Sequence, residues 1–138
     1  MNAYEKVLKS REKGRPTAVK YIGSIVENFI ELHGDRRFSD DKAIIGGIGT
    51  ISGMPVTVIG IEKGDGTADK IAHNFGCAHP EGYRKAVRLM KEAVKGACFV
   101  KASGGIKNGE QFKSMLDAGA DRVGTSSGVE IAKDLNRK

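Results

Sequence analysis

Between Ala43 and Lys63 the sequence reads AIIGGIGTISGMPVTVIGIEK, two apolar stretches parted at Ser52, Gly53, Met54 and Pro55. This pattern predicts two strands joined by a tight turn. The second stretch, Val56 to Ile61, is nearly continuous in apolar residues, so it is expected to be buried on both faces. A chain built around such strands belongs to a layered α/β fold. Gly46, Gly47 and Gly49 lie inside the first stretch at a spacing that fits neither glycine fingerprint of nucleotide loops. A strand bulge or close packing explains them better.

The longest helical pattern runs from Pro80 to about Lys95, PEGYRKAVRLMKEAVK. Val87, Leu89, Met90, Ala93 and Val94 fall at the spacings of one face, and the polar side is mostly basic. Pro80 suits a first helical position, Glu81 complements the positive end of the dipole, and Gly96 supplies a stop. A strand-like run, Ala97 to Ala102, follows at once. Upstream, residues 3 to 12 predict a short charged helix, broken by Gly14 and Pro16. A second helix is expected from Pro16 to about Leu32, with Ala18, Tyr21, Ile22, Ile25, Phe29 and Leu32 on its apolar face. The polar loop HGDRRFSDD closes it; His33 there reads as a structural hydrogen-bonder, since no second metal ligand sits at a useful spacing. Another helix is expected from Thr67, as N-cap, to Gly76.

At 138 residues the chain has the size of one domain and can bury a core without metals or disulfides. Cys77 and Cys98 stand in unlike contexts without metal-ligand spacing, as small core or near-surface residues, and no bridge between them is expected. The net charge of +6 favours anionic partners. Nucleic acid is disfavoured, because the basic residues are dispersed and the few aromatics are not interleaved with them. A small phosphorylated ligand or a coenzyme fits the charge equally well. No apolar run approaches the ~18 residues of a membrane span, and MNAYEKVLKSREKGR is too polar for a signal peptide, so a cytoplasmic location is expected.

Five stretches carry a close resemblance to the alpha subunit of bacterial acetyl-CoA carboxylase carboxyltransferase: RPTAVKYI (Arg15 to Ile22), FIELHGDRRFSDDKAIIGGI (Phe29 to Ile48), PVTVIG (Pro55 to Gly60), KIAHNFG (Lys70 to Gly76) and HPEGYRKAVRLMKEA (His79 to Ala93). The resemblance implies a crotonase-like α/β fold. It also implies transfer of a carboxyl group from carboxybiotin to acetyl-CoA together with a beta-type subunit, hence coenzyme A or an acyl-CoA as ligand. Past the long helix the family builds oxyanion donors on a glycine-rich Asp-Thr-Pro-Gly turn; this chain has GACFVKASGGIKNGEQ instead. Each missing donor to a thioester enolate is worth roughly 3 kcal/mol.

From Val100 to Ile131 the residues VKASGGIKNGEQFKSMLDAGADRVGTSSGVEI resemble the C-terminal end of deoxyribose-phosphate aldolase, with VKASGGI and GTSSG at the separation of that family's seventh and eighth barrel strands. The resemblance implies a βαβα quarter of a TIM barrel. The chain then reads as one α/β domain of two parts, residues 1–95 and 96–138, changing over inside the shared helix. The chemistry of the second part also follows from its residues. A strand, Phe99 to Ala102, ends in Ser103, Gly104 and Gly105 before a helix that starts near Asn108 with Phe112, Met115 and Leu116 on its face. A short strand, Arg122 and Val123, ends in Gly124, Thr125, Ser126, Ser127 and Gly128 before the last helix. Two glycine-bearing turns at helix N-termini offer backbone N–H groups and hydroxyls to one phosphate, with Gly104, Gly105, Gly124, Ser126 and Ser127 as the candidate residues. Ordinary capped turns would carry the same residues. Lys101 matches an aldolase lysine that tunes proton chemistry beside a Schiff-base lysine on the preceding strand. That partner has no counterpart here, so Lys101 is expected to be inert and partly buried.

Three readings result: a carboxyltransferase-like subunit, an aldolase-like phosphate or sugar-phosphate binder, and a hybrid without catalysis. Two incomplete active sites favour the third. The segment Ala97 to Val123 is expected to form a right-handed parallel crossover, with Val56 to Ile61 pairing beside Phe99 to Ala102. Uncovered apolar surface would make the chain a homo-oligomer.

Overall fold

The computed structural model describes residues 1–136, a mixed α/β arrangement with two small sheets. The elements in order are α1 (Ala3–Ser10), α2 (Ala18–Ile25), β1 (Glu27–Glu31), β2 (Ile44–Ile51), β3 (Met54–Ile61), α3 (Thr67–Ala72), a 3₁₀ turn (Asn74–Gly76), α4 (Pro80–Val94), β4 (Lys101–Ser103), α5 (Gly109–Asp117), β5 (Arg122–Gly124) and α6 (Gly128–Asn136). No helix among the described residues is long and apolar enough to cross a membrane.

α1 holds itself together by a reciprocal cap between Asn2 and Glu5 and buries nothing. α2 is shorter than its apolar spacing predicts. It stops at Val26 and gives way to β1, which pairs antiparallel with β2 across an irregularity between Glu27 and Ile30. The chain leaves the helix at Val26, which is extended, and Asn28, inside β1, takes a φ of 51° at the strand irregularity. Ile25, Phe29 and Leu32 keep helical spacing, but the ladder offered by a strand twenty residues downstream overrides it.

β2 and β3 form a hairpin whose two-residue loop, Ser52 and Gly53, has φ of 50° and 75°. Positive φ at both loop residues is the type I′ geometry that matches strand twist. Met54 and Pro55 therefore belong to β3 and not to the turn. The sheet order is β1-β2-β3, so β2 is the central strand and its first four residues are buried. β3 is an edge strand. The expectation that it is buried on both faces fails: Ile61 is 65% exposed and the other apolar residues of the run are only half-buried.

The glycines of β2 serve close packing. A side chain at Gly46 would overlap Leu89 of α4, and one at Gly47 would overlap the Ile30 carbonyl of β1. α3 is capped by Gly66 and not by Thr67, and it ends at Ala72, where a 3₁₀ turn replaces the expected last helical turn.

α4 lies between the two sheets. Its buried residues are Gly82, Lys85, Val87 and Leu89, whereas Met90 and Ala93, expected on the same face, are exposed. Leu89 packs on Gly46 of the first sheet while Val87 joins the cluster of the second, so a single apolar stripe does not serve both. Lys95, in the left-handed region, and Gly96 end it. β4 begins only at Lys101, later than the strand-like run that starts at Ala97, and pairs parallel with β5 through the connecting α5. It does not pair with β3. Thr57 and Ile59 of β3 share a cavity of about 270 Å3 with Phe99, Val100 and Lys101, and residues of α4 line the space between. Lys91 of α4 instead fixes the second sheet: its ammonium donates to both oxygens of Asp121, which also accepts the Val100 N–H.

Two apolar clusters result. One gathers Ile22, Val26 and Ile45; the other gathers Val87, Val100, Ala102, Ile106, Met115, Ala118, Ala120 and Ile131. Ile30 and Ile48 of the first sheet stay exposed, and Cys77 and Cys98 are free and exposed.

Candidate phosphate-binding cleft

Parallel pairing aligns the C-terminal ends of β4 and β5, with Ser103 opposite Gly124. Strand alternation sends Ala102 into the core and leaves Lys101 and Ser103 on the outer face. Lys101 lies over Gly124, where a Cβ would come 2.8 Å from its Cε and 3.1 Å from the Ser103 Cβ. Gly104 and Gly105 carry the chain away at φ of 96° and 69°, a region that side chains disfavour. α5 then starts with Asn108 as its cap, accepting from the Gln111 N–H at 2.9 Å.

Thr125 joins the two turns. Its hydroxyl donates to the Ile106 carbonyl at 2.6 Å and accepts the Ser127 N–H at 3.0 Å. Between the turns lies a cleft of about 480 Å3. It brings together Lys101, Gly104, Gly105, Gly124, Ser126 and Ser127, all six residues singled out in the sequence, and adds Ser103, Lys107 and Thr125, which sequence reasoning did not single out. Lys101 is exposed and not partly buried, because strand alternation puts it on the face of β4 opposite the buried Ala102. Among the described residues no carboxylate lines the cleft. Two lysines, several hydroxyls and the turn that opens α6 make it a place for an anion.

A second polar group lies in loop 33–42 and was not legible as such. Asp35, 2% exposed, accepts the Arg37 and Phe38 N–H groups at 2.9 and 2.7 Å and the Arg84 Nε at 2.7 Å. Burial pushes its pKa up, but those two N–H groups and the guanidinium outweigh it and hold the carboxyl at about 2. Asp40 accepts the Gly34 N–H at 2.8 Å and the Lys85 ammonium at 2.9 Å, and these with His33 overcome its burial and bring it to about 2 as well. Lys85, itself buried, also donates to the Ile44 carbonyl at 3.0 Å. Asp41, buried beside them, accepts the His79 N–H at 2.6 Å just before α4. Ligand atoms of Glu31, His33 and Asp40 lie within 4.8 Å of one another. Lys85 already holds Asp40, and His33 Nδ1 lies 2.8 Å from its other oxygen. The group is an ion-paired brace between loop and helix.

The lowered pKa values have a consequence for stability. Asp35 and Asp40 titrate below their ordinary range only when folded, so their contribution is complete above about pH 4 and is lost as the pH falls toward 2. For buried Asp35 the loss is about 2 kcal/mol. Thermal melts between pH 5 and 2 (roughly, the window set by these values) should show Tm falling most steeply below pH 4. A flat profile there contradicts the brace.

Residues 1–101 match the acetyl co-enzyme A carboxylase carboxyltransferase-like family, and the chain belongs to it. It is 54% identical over 108 residues to the acetyl-coenzyme A carboxylase carboxyl transferase subunit alpha of Ruminiclostridium cellulolyticum, covering 75% of this chain and 42% of that subunit. The alpha subunits of Listeria welshimeri (50% identical, 75% of this chain, 34% of that subunit) and Staphylococcus haemolyticus (57%, 69% and 30%) are similar to it as well. The chain thus spans 30–42% of the length of these relatives. The family match ends at Lys101, the first residue of β4, so every later residue of the cleft lies beyond it.

Proposed function

We propose that this chain is a hybrid in which a carboxyltransferase alpha-type segment, residues 1–95, supports an aldolase-like segment, residues 96–138, that binds a small phosphate-bearing ligand without transforming it. The observation that carries the reading is the cleft between the two turns, cationic and free of carboxylates among the described residues. Carboxyl transfer, the activity that the relatives' names state, is set aside because GACFVKASGGIKNGEQ stands where the resemblance implies the Asp-Thr-Pro-Gly turn of the oxyanion donors. Aldol chemistry is set aside because Lys101 has no lysine partner on a preceding barrel strand; its ammonium supplies charge to the phosphate.

Isothermal titration with inorganic phosphate, deoxyribose 5-phosphate and acetyl-CoA tests the reading. All three ligands should bind, and Ser126→Ala/Ser127→Ala should weaken each roughly 100-fold, since two hydrogen bonds to a charged group are worth at least about 1.5 kcal/mol apiece. Absence of heat with all three, in a protein that melts cooperatively, contradicts it.

A further inference from the structure

The cleft continues beyond its glycine turns. Lys101, Ser103, Gly104, Gly105 and Ile106 line it on one side and on the other line a second cavity of about 250 Å3 that extends toward α4 and α5. The far wall of this second cavity is made by Tyr83, Ala86 and Met90 of α4 and Met115 of α5. Residues 83, 86 and 90 form one stripe along the helix, beside the stripe that buries Val87. Tyr83 is 52% exposed and Met90 39%, so the stripe is apolar and uncovered. The amide that borders it, Gln111, has its side-chain oxygen taken by the Lys107 N–H at 2.8 Å.

One depression therefore changes character along the last residues of β4, from cationic and rich in donors to apolar. No carboxylate lines either part among the described residues. A bare phosphate or sugar phosphate would fill only the first part. We propose that the ligand is a phosphate monoester with a short apolar organic group, its phosphate between the two glycine turns and its chain or ring in the groove of Tyr83, Ala86 and Met90. The proposal rests on the phosphate-binding reading and narrows it: the charge of the head matches the lysines, and the neutral tail matches a groove walled by Ala86, Met90, Met115 and the Tyr83 ring.

A titration series with inorganic phosphate, methyl, butyl and hexyl phosphate, and hexanol as a head-free control, tests it. Affinity should rise with chain length by up to about fourfold per methylene until the groove is full, and hexanol should not bind at the same concentrations. Met90→Gln, at an exposed position, and Ala86→Phe, which fills the groove, should each flatten the series and leave inorganic phosphate within about twofold of the unmodified protein, since neither touches the turns. Phosphate binding with no dependence on chain length overturns the proposal and leaves the phosphate reading standing. Hexanol binding as tightly as hexyl phosphate overturns it too, because the groove would then act without the cleft. Binding by neither phosphate nor any ester overturns both.

Discussion

Asp35→Ala should destabilise the protein by about 3–5 kcal/mol, the range found when one partner of a buried ion pair is removed. The Asp35 side chain is fully enclosed, and the Arg84 side chain is only 15% exposed. Without the carboxylate, the guanidinium keeps, among the described residues, only Glu81, at 4.0 Å, as an acidic neighbour, and the Arg37 and Phe38 N–H groups lose their acceptor. The loss reaches α5, because Arg84 also donates to the Ser114 hydroxyl at 3.4 Å. Asp35→Asn keeps an acceptor for the backbone and should be less severe. Urea unfolding of both variants measures the difference; an Asp35→Ala midpoint within ~1 kcal/mol of the unmodified protein would remove the brace from the account of stability.

Gly47→Ala should destabilise by about 3 kcal/mol, at the upper end for an overpacked site, because the obstacle is backbone. The added methyl overlaps the Ile30 carbonyl oxygen and lies 2.8 Å from the Phe29 ring. Glu31 pairs with Gly47, so relief requires β1 to move off β2. Gly53→Ala is the contrast: nothing lies within 4 Å of its Cβ, and the variant meets only the strain of φ 75°, about 1 kcal/mol. Equal losses in the two variants, read from the same unfolding curves, would mean that β1 is not clamped to β2.

What was legible in the sequence was what neighbours decide. α4 occupies Pro80–Val94, close to its predicted span, since its proline start, its apolar spacing and the Lys95-Gly96 stop are all local. The hairpin and the strand-helix order after residue 100 were legible for the same reason. β1 was not, because its residues keep helical spacing and become a strand only through β2. The pairing of β3 with β4 failed on the same ground: apolar content shows that a strand wants company, not which strand provides it. The cleft residues were visible because each turn carries its own glycines and serines. The brace of Asp35, Asp40, Arg84 and Lys85 was hidden, since its pairs are 49 and 45 residues apart and its only trace was the density of charge in HGDRRFSDD.

The two apolar clusters have no buried residue in common, and residues 95–99 between α4 and β4 are exposed throughout. Regions that bury separate surfaces can open separately. Opening along that division would leave α4 as the boundary, and limited proteolysis is expected to cut the short bare connector behind that helix, residues 95–99, before either cluster.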